Sequence, residues 1–285
     1  MKNPAKQTLA LLAVLAFSVV WAETLPERDL YTSKSSGLVV LLPPQPPPND
    51  ENEMPAGTLH FPGREYRSGD GWWMLACNGG KCGLHPARLD ASAHPHPQYD
   101  GSDVPGQMLR LTPAPPAGTL LVFKPFRAPA DALTLTPGAV KTWRIARSTR
   151  TPATMEGELA LADGRVLRFV PTLLTPEKPP EMPFLDERES DPLELVLELG
   201  GQRQPLGFFN FSDITGLAAL NPADYVRWIG DIDGDGKPDF VVNFVGNAYG
   251  GEHDFALFLS SLARPGEIVG LAGRFDYFPI DASGC

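Results

Sequence analysis

Positive charge is thin in this chain. Its 24 Lys+Arg residues face 34 Asp+Glu, a net charge of −10 with no basic block. A surface of that sign repels phosphate backbones and anionic bilayers, so nucleic acid is excluded as a partner. Long helix-forming stretches are missing too. The 31 prolines and 28 glycines among 285 residues interrupt helices every few positions, which rules out a helical bundle. Histidine is scarce, with five residues. The pair in His94-Pro95-His96-Pro97 has no second cluster to join it, so an exposed Pro-rich loop is expected there rather than a soft-metal site. The sequence holds no G-x-S-x-G elbow, no H-E-x-x-H, no Walker loop and no G-x-G-x-x-G after a strand. Acid pairs such as Asp186/Glu187 fall in a polar connector, where they serve solubility rather than acid–base chemistry.

Long apolar runs are confined to the start. Lys2 and Lys6 precede an apolar run from Leu9 to Val20, and Val20-Trp21-Ala22 is a small-x-small site followed by Glu23. Residues 1–22 are therefore read as a signal peptide cut after Ala22. The rival reading, a membrane anchor, needs a run long enough to cross ~30 Å of hydrocarbon. No later segment reaches ~18 apolar residues, so no transmembrane segment is expected after cleavage. The expected location is periplasmic or secreted, where disulfides are permitted. The three cysteines are Cys77, Cys82 and Cys285. A disulfide across the Asn78-Gly79-Gly80-Lys81 turn is the favoured pairing. Free thiols, or a pairing that involves Cys285, are the alternatives.

With 42% apolar and 20% charged residues, most of the chain should fold. Residues 23–57 form a Pro-rich arm, in which the apolar Leu38 to Leu42 can add a strand to the body. Residues 58–175 make an N-terminal β-rich unit. Its clearest hairpin turns at Asp163-Gly164, where a two-residue turn with positive φ is expected. Trp72 and Trp73 must point to opposite faces of a strand, so one is core and the other a candidate sugar-stacking platform. Trp143 and Trp228 are assigned to packing. Residues 176–192 are a second linker, and 193–285 a C-terminal β unit. Leu193, Leu195, Leu197 and Leu199 alternate with Glu194, Val196 and Glu198, a period-2 strand with one buried face. Residues 212–220 have room for one or two helical turns. The predicted fold class is mostly β, with antiparallel sheets in two β-rich subdomains and few or short helices. Whether the two units pack as one is left open.

One motif stands out. Residues 231–239 place Asp231, Asp233, Asp235 and Asp239 at loop positions 1, 3, 5 and 9, with Gly236 at position 6. Ca²⁺ takes six to eight oxygens, and alternate residues of a tight loop can all face it. Lys237 can add its backbone carbonyl while its side chain points outward. The rival is an acidic surface turn without an ion. Mg²⁺ fits less well, since it demands a smaller, near-octahedral shell. An EF-hand would carry Glu at position 12, where this chain has Val242. The nearby Asn247 to Asp254 segment is read as a solvated turn; Glu252 or Asp254 could add an oxygen, and His253 could act as a base.

Gly230 to Phe240 resembles the calcium loop of FG-GAP repeats, the integrin α-chain type, at every fixed position of Gly-Asp-x-(Asp/Asn)-Gly-Asp-Gly-x-x-Asp-(apolar). The resemblance covers about 20 residues and one copy of the unit. It implies Ca²⁺ held by the side chains of Asp231, Asp233, Asp235 and Asp239 with the Lys237 carbonyl. The whole chain is more loosely similar to secreted bacterial proteins that pair a Trp-rich, two-cysteine segment with one such loop. The expected function is a secreted or periplasmic calcium-binding protein, non-enzymatic, meeting a cell-envelope protein or glycan. The rivals are a secreted hydrolase of polysaccharides or phosphate esters with a structural calcium, and an assembly factor docking through its arm.

Overall fold

The computed structural model describes residues 39–42, 58–59, 66–97, 103–125, 133, 135–150, 156–173, 193–209, 221–244 and 253–277. These residues are overwhelmingly β. The strands are, in chain order, β1 (Val39–Leu42), β2 (Thr58–Leu59), β3 (Gly69–Asn78), β4 (Lys81–Pro97), β5 (Asp103–Thr112), β6 (Thr119–Pro125), β7 (Gly138–Thr142) and β8 (Ala146–Arg147). They continue as β9 (Gly157–Ala160), β10 (Val166–Leu173), β11 (Leu193–Leu199), β12 (Gln202–Phe209), β13 (Val226–Asp231), β14 (Asp239–Asn243), β15 (His253–Leu259) and β16 (Gly270–Tyr277). The helical content among the described residues is one turn, α1 (Pro222–Tyr225), and a 3-10 turn at Ser260–Leu262.

Every strand pairing is antiparallel, in two sheets. The larger has eleven strands in the order β1-β6-β3-β4-β7-β13-β14-β15-β16, with β5 also on β4 and β2 on β5. It curls until its ends approach, so that β1 and β16 have Cα atoms within 8 Å of one another. The smaller has five, in the order β12-β11-β10-β9-β8. Strands from before and after residues 176–192 share both sheets. β7 pairs with β13 in one, and β10 with β11 in the other.

Side-chain alternation explains the layers. On β14, Phe240 and Val242 pack with Leu167, Phe169, Leu195 and Leu197 of the five-stranded sheet. Val241, between them, faces the opposite way, into the curl of the large sheet, with Leu75, Leu84, Phe123, Trp228 and Leu257. All five residues of β14 are therefore buried, since it has a protein layer on each side. A third cluster (Tyr66, Trp72, Met74, Leu89, Leu109, Leu111, Val122) covers the outer face of β3, β4 and β6. The two adjacent tryptophans divide as strand geometry requires. Trp72 is wholly buried in the third cluster, while Trp73 is half-buried against the interior one. Trp143 and Trp228 pack against the cores as expected.

The turns refine two expectations. Gly79 and Gly80, both at positive φ, join β3 to β4, and Cys77 and Cys82 face each other in register as a disulfide. At the β9–β10 hairpin, only Gly164 has positive φ. Leu161 and Arg165 close a three-residue turn instead of the expected two-residue one, with Leu161 N–H donating to Arg165 O at 2.8 Å. A three-residue hairpin needs one left-handed residue, and glycine supplies it; Asp163 instead accepts the Arg165 N–H at 3.0 Å.

The apolar segment of the arm does add a strand, β1, against β6. Residues 94–97 are the end of β4, paired with residues 103–106 of β5, not a loop. The long β4–β5 ladder provides backbone partners there that local composition does not reveal. The helical turn comes at α1, where the Asn221 side chain and Asp224 form a capping box and Pro222 opens the helix. Residues 1–22, 176–192, 212–220 and Cys285 lie outside the described residues. Among the described residues, no helix is long and apolar enough to cross a membrane.

Candidate metal centre

The acidic motif is the connection between β13 and β14. Gly230 and Asp239 are opposite each other in the ladder, so the loop begins and ends at one rung. Gly234 and Gly236, at φ of 78° and 84°, give the two left-handed turns that bring the chain round. Gly230 has a separate reason to be glycine. A Cβ there would stand 2.1 Å from the Trp228 ring and 2.8 Å from the Lys141 carbonyl.

Three of the four predicted carboxylates converge. Asp231, Asp233 and Asp239 each offer an oxygen, and the three lie within 4.8 Å of one another. Asp239 is the fixed point, fully buried at 0% exposure. One of its oxygens, Oδ2, accepts the Ile232 N–H at 2.7 Å. The other, Oδ1, accepts the Ser260 N–H at 2.8 Å and meets the Ser260 hydroxyl at 3.2 Å. Asp231 accepts the Gly236 N–H through Oδ2 at 3.0 Å, while its Oδ1 is buried with no hydrogen-bond partner. Asp233 accepts the Asp235 N–H at 3.3 Å and a hydrogen bond from the Ser261 hydroxyl. Asp235 stands outside the converging trio. Its Oδ1 accepts the Lys237 N–H at 2.8 Å and its Oδ2 meets the Ser260 hydroxyl at 2.9 Å. The Lys237 side chain points outward, 69% exposed, with Nζ 3.7 Å from Asp235.

The charge arrangement is costly without a counter-charge. Burial, then the nearby Asp233 charge, pushes the Asp239 carboxyl up to about 8, against the pull of the Ser260 and Ile232 amides. Burial also raises Asp233, partly offset by the Ser261 hydrogen bond. The Ser260 hydroxyl tells the same story. It has one proton and touches two carboxylates, so it cannot donate to both when both are ionised. A proton on Asp239 resolves this, and so does a cation. An all-oxygen, all-carboxylate donor set with one orphaned buried oxygen suits a hard divalent cation.

Ser260 and Ser261 were not anticipated. They follow β15, 21 and 28 residues from the aspartates they bond. The signal is the β14–β15 register. Pairing Phe240 with Phe258 carries the chain after Leu259 back beside Asp239. His253 and Asp254 open β15, with Asp254 opposite Asp276; their side chains and Glu252 lie outside the described residues.

The fold and site define an antiparallel β protein with a candidate acidic metal centre. No protein-family model matches the chain, and no curated protein or solved structure matches it.

Proposed function

We propose that this chain is an exported calcium-binding protein, in which one Ca²⁺ orders the β13–β14 loop of a rigid, non-enzymatic binding module. The observation that carries the reading is the meeting of Asp231, Asp233 and fully buried Asp239, with Asp231 Oδ1 buried and unpartnered. A carboxylate oxygen without a donor costs desolvation energy that a cation recovers. The likeness of Gly230–Phe240 to the FG-GAP loop supports calcium in particular, with Asp235 and the Lys237 carbonyl completing the shell. The apparent signal peptide supports the periplasm or exterior. Calcium there reaches extracellular-type sites of modest affinity. The partner in this reading is a protein or glycan of the cell envelope.

The test is a thermal melt of the mature chain in calcium and in chelator. A cation that binds only the folded state adds about 2.7 kcal/mol at a hundredfold excess over Kd. The midpoint should rise with calcium in the wild type, and the rise should vanish in Asp233→Ala/Asp235→Ala. A wild type that melts identically in both conditions rejects the reading.

A further inference from the structure

We propose that the 3-10 turn Ser260–Leu262 is the second wall of the cation site, with Ser260 and Ser261 as positioning residues for its carboxylates. This rests on the calcium reading above and adds to it residues outside the loop motif. Each oxygen of a carboxylate has two lone pairs. On Asp239, the Ser260 N–H takes one lone pair of Oδ1 and the Ile232 N–H one lone pair of Oδ2, while the Ser260 hydroxyl lies between Asp235 Oδ2 at 2.9 Å and Asp239 Oδ1 at 3.2 Å. Each Asp239 oxygen keeps a lone pair for a cation, and the two amides fix the plane in which those lone pairs lie. Ser260 thereby sets how the carboxylates of Asp239 and Asp235 are turned toward the ion. Ser261 does the equivalent for Asp233, holding Oδ2 while the Asp235 N–H holds Oδ1. On Asp231, Oδ1 remains buried and free of any donor, complementing the two oriented groups.

The turn is itself firmly backed. The backbone of Gly270, at the start of β16, packs so closely that a Cβ would stand 2.2 Å from the Leu262 carbonyl oxygen. The turn also closes on itself, with the Ala263 N–H on the Ser260 carbonyl at 3.2 Å. The serines are therefore presented from a platform fixed by β15 and β16, not by the acidic loop. Outer hydrogen-bond partners of this kind fix ligand orientation before the ion arrives.

The experiment compares wild type, Ser260→Ala, Ser261→Ala and Ser261→Thr, each as the mature chain. Calcium is titrated calorimetrically and each protein is melted in chelator. Each alanine variant should bind calcium about tenfold or more weakly. Ser261→Thr, which keeps the hydroxyl, should stay within about twofold of wild type. The chelator midpoint of Ser261→Ala should remain within about 3 °C, since that residue is exposed. Should Ser260→Ala fail to fold, the Ser261 pair decides. Alanine variants with wild-type affinity overturn the positioning role while leaving the calcium reading intact. A wild type that binds no calcium overturns both.

Discussion

Replacing Asp231 by asparagine should stabilise the empty protein and destabilise the filled one. The new amide carbonyl can still accept the Gly236 N–H, now 3.0 Å from Asp231 Oδ2. The NH₂ then takes the place of Oδ1, which has no partner to lose. What disappears is one negative charge beside Asp233, at a separation of no more than 4.8 Å between the facing oxygens. Two unit charges at about that distance repel by about 3.5 kcal/mol at an effective dielectric of 20. Both side chains are partly exposed, and screening reduces this to about 1 kcal/mol. The midpoint in chelator should therefore rise by about 2–4 °C. In calcium the sign reverses. The variant has one negative charge fewer and turns an NH₂ toward the ion where Oδ1 stood, so most of the roughly 2.7 kcal/mol from a hundredfold excess of calcium is lost. Paired calorimetric scans of wild type and Asp231→Asn, in chelator and in calcium, would display the crossing. A variant that melts below wild type in both conditions would refute the argument, because it would mean that Asp231 is a structural hydrogen-bond acceptor and nothing more.

Three further outcomes follow from the geometry. The Asp239 carboxyl sits at about 8 when folded against an ordinary 3.8. The metal-free fold thus binds the extra proton and should lose stability as pH rises from 4 toward 8, by at most about 1.4 kcal/mol per unit, then level off. In the calcium reading the cation displaces that proton, so a weakly buffered titration should release more protons per ion at pH 6 than at pH 10; equal release at both values would contradict it. Converting Cys77 and Cys82 to alanine opens a bridge with a sequence separation of 5 and should cost about 2 kcal/mol. It should also change the emission of Trp228, whose indole N–H donates to Cys82 Sγ at 3.3 Å. Gly230→Ala puts a methyl into the Trp228 ring and the Lys141 carbonyl, and should lower stability by about 3 kcal/mol or more, read by chemical denaturation.

Periodicity made the strands legible, because a half-buried strand writes its two faces into alternate residues. Leu193, Leu195 and Leu197 are buried and Glu194 and Glu198 only partly so, but Val196 on the outward face is buried too and Leu199 is only partly buried. The loop motif was legible because carboxylate spacing is local, and Asp231, Asp233 and Asp239 do converge. Local pattern does not encode who pairs with whom. Nothing near residue 140 announces that β7 will pair with β13, and nothing near residue 260 announces two serines bonded to aspartates more than 20 residues earlier. The Pro-rich end of β4 failed for the same reason, since its ladder partner is a separate strand, β5. Asp235 marks where spacing and position part. Its place in the motif is as regular as the others, yet it stands outside the converging trio, with one hydrogen-bond partner on each oxygen.

The sharing of both sheets between the two halves of the chain sets the order in which it can fold. Synthesis delivers residues from the N-terminus, so β7 emerges well before its neighbour β13, and β10 before β11. During that interval both sheets have open edges, and neither half can finish alone. Such distant pairings make for slow folding and leave the waiting strands available to other chains. A truncation at the central connector should therefore yield aggregates, not two small soluble proteins.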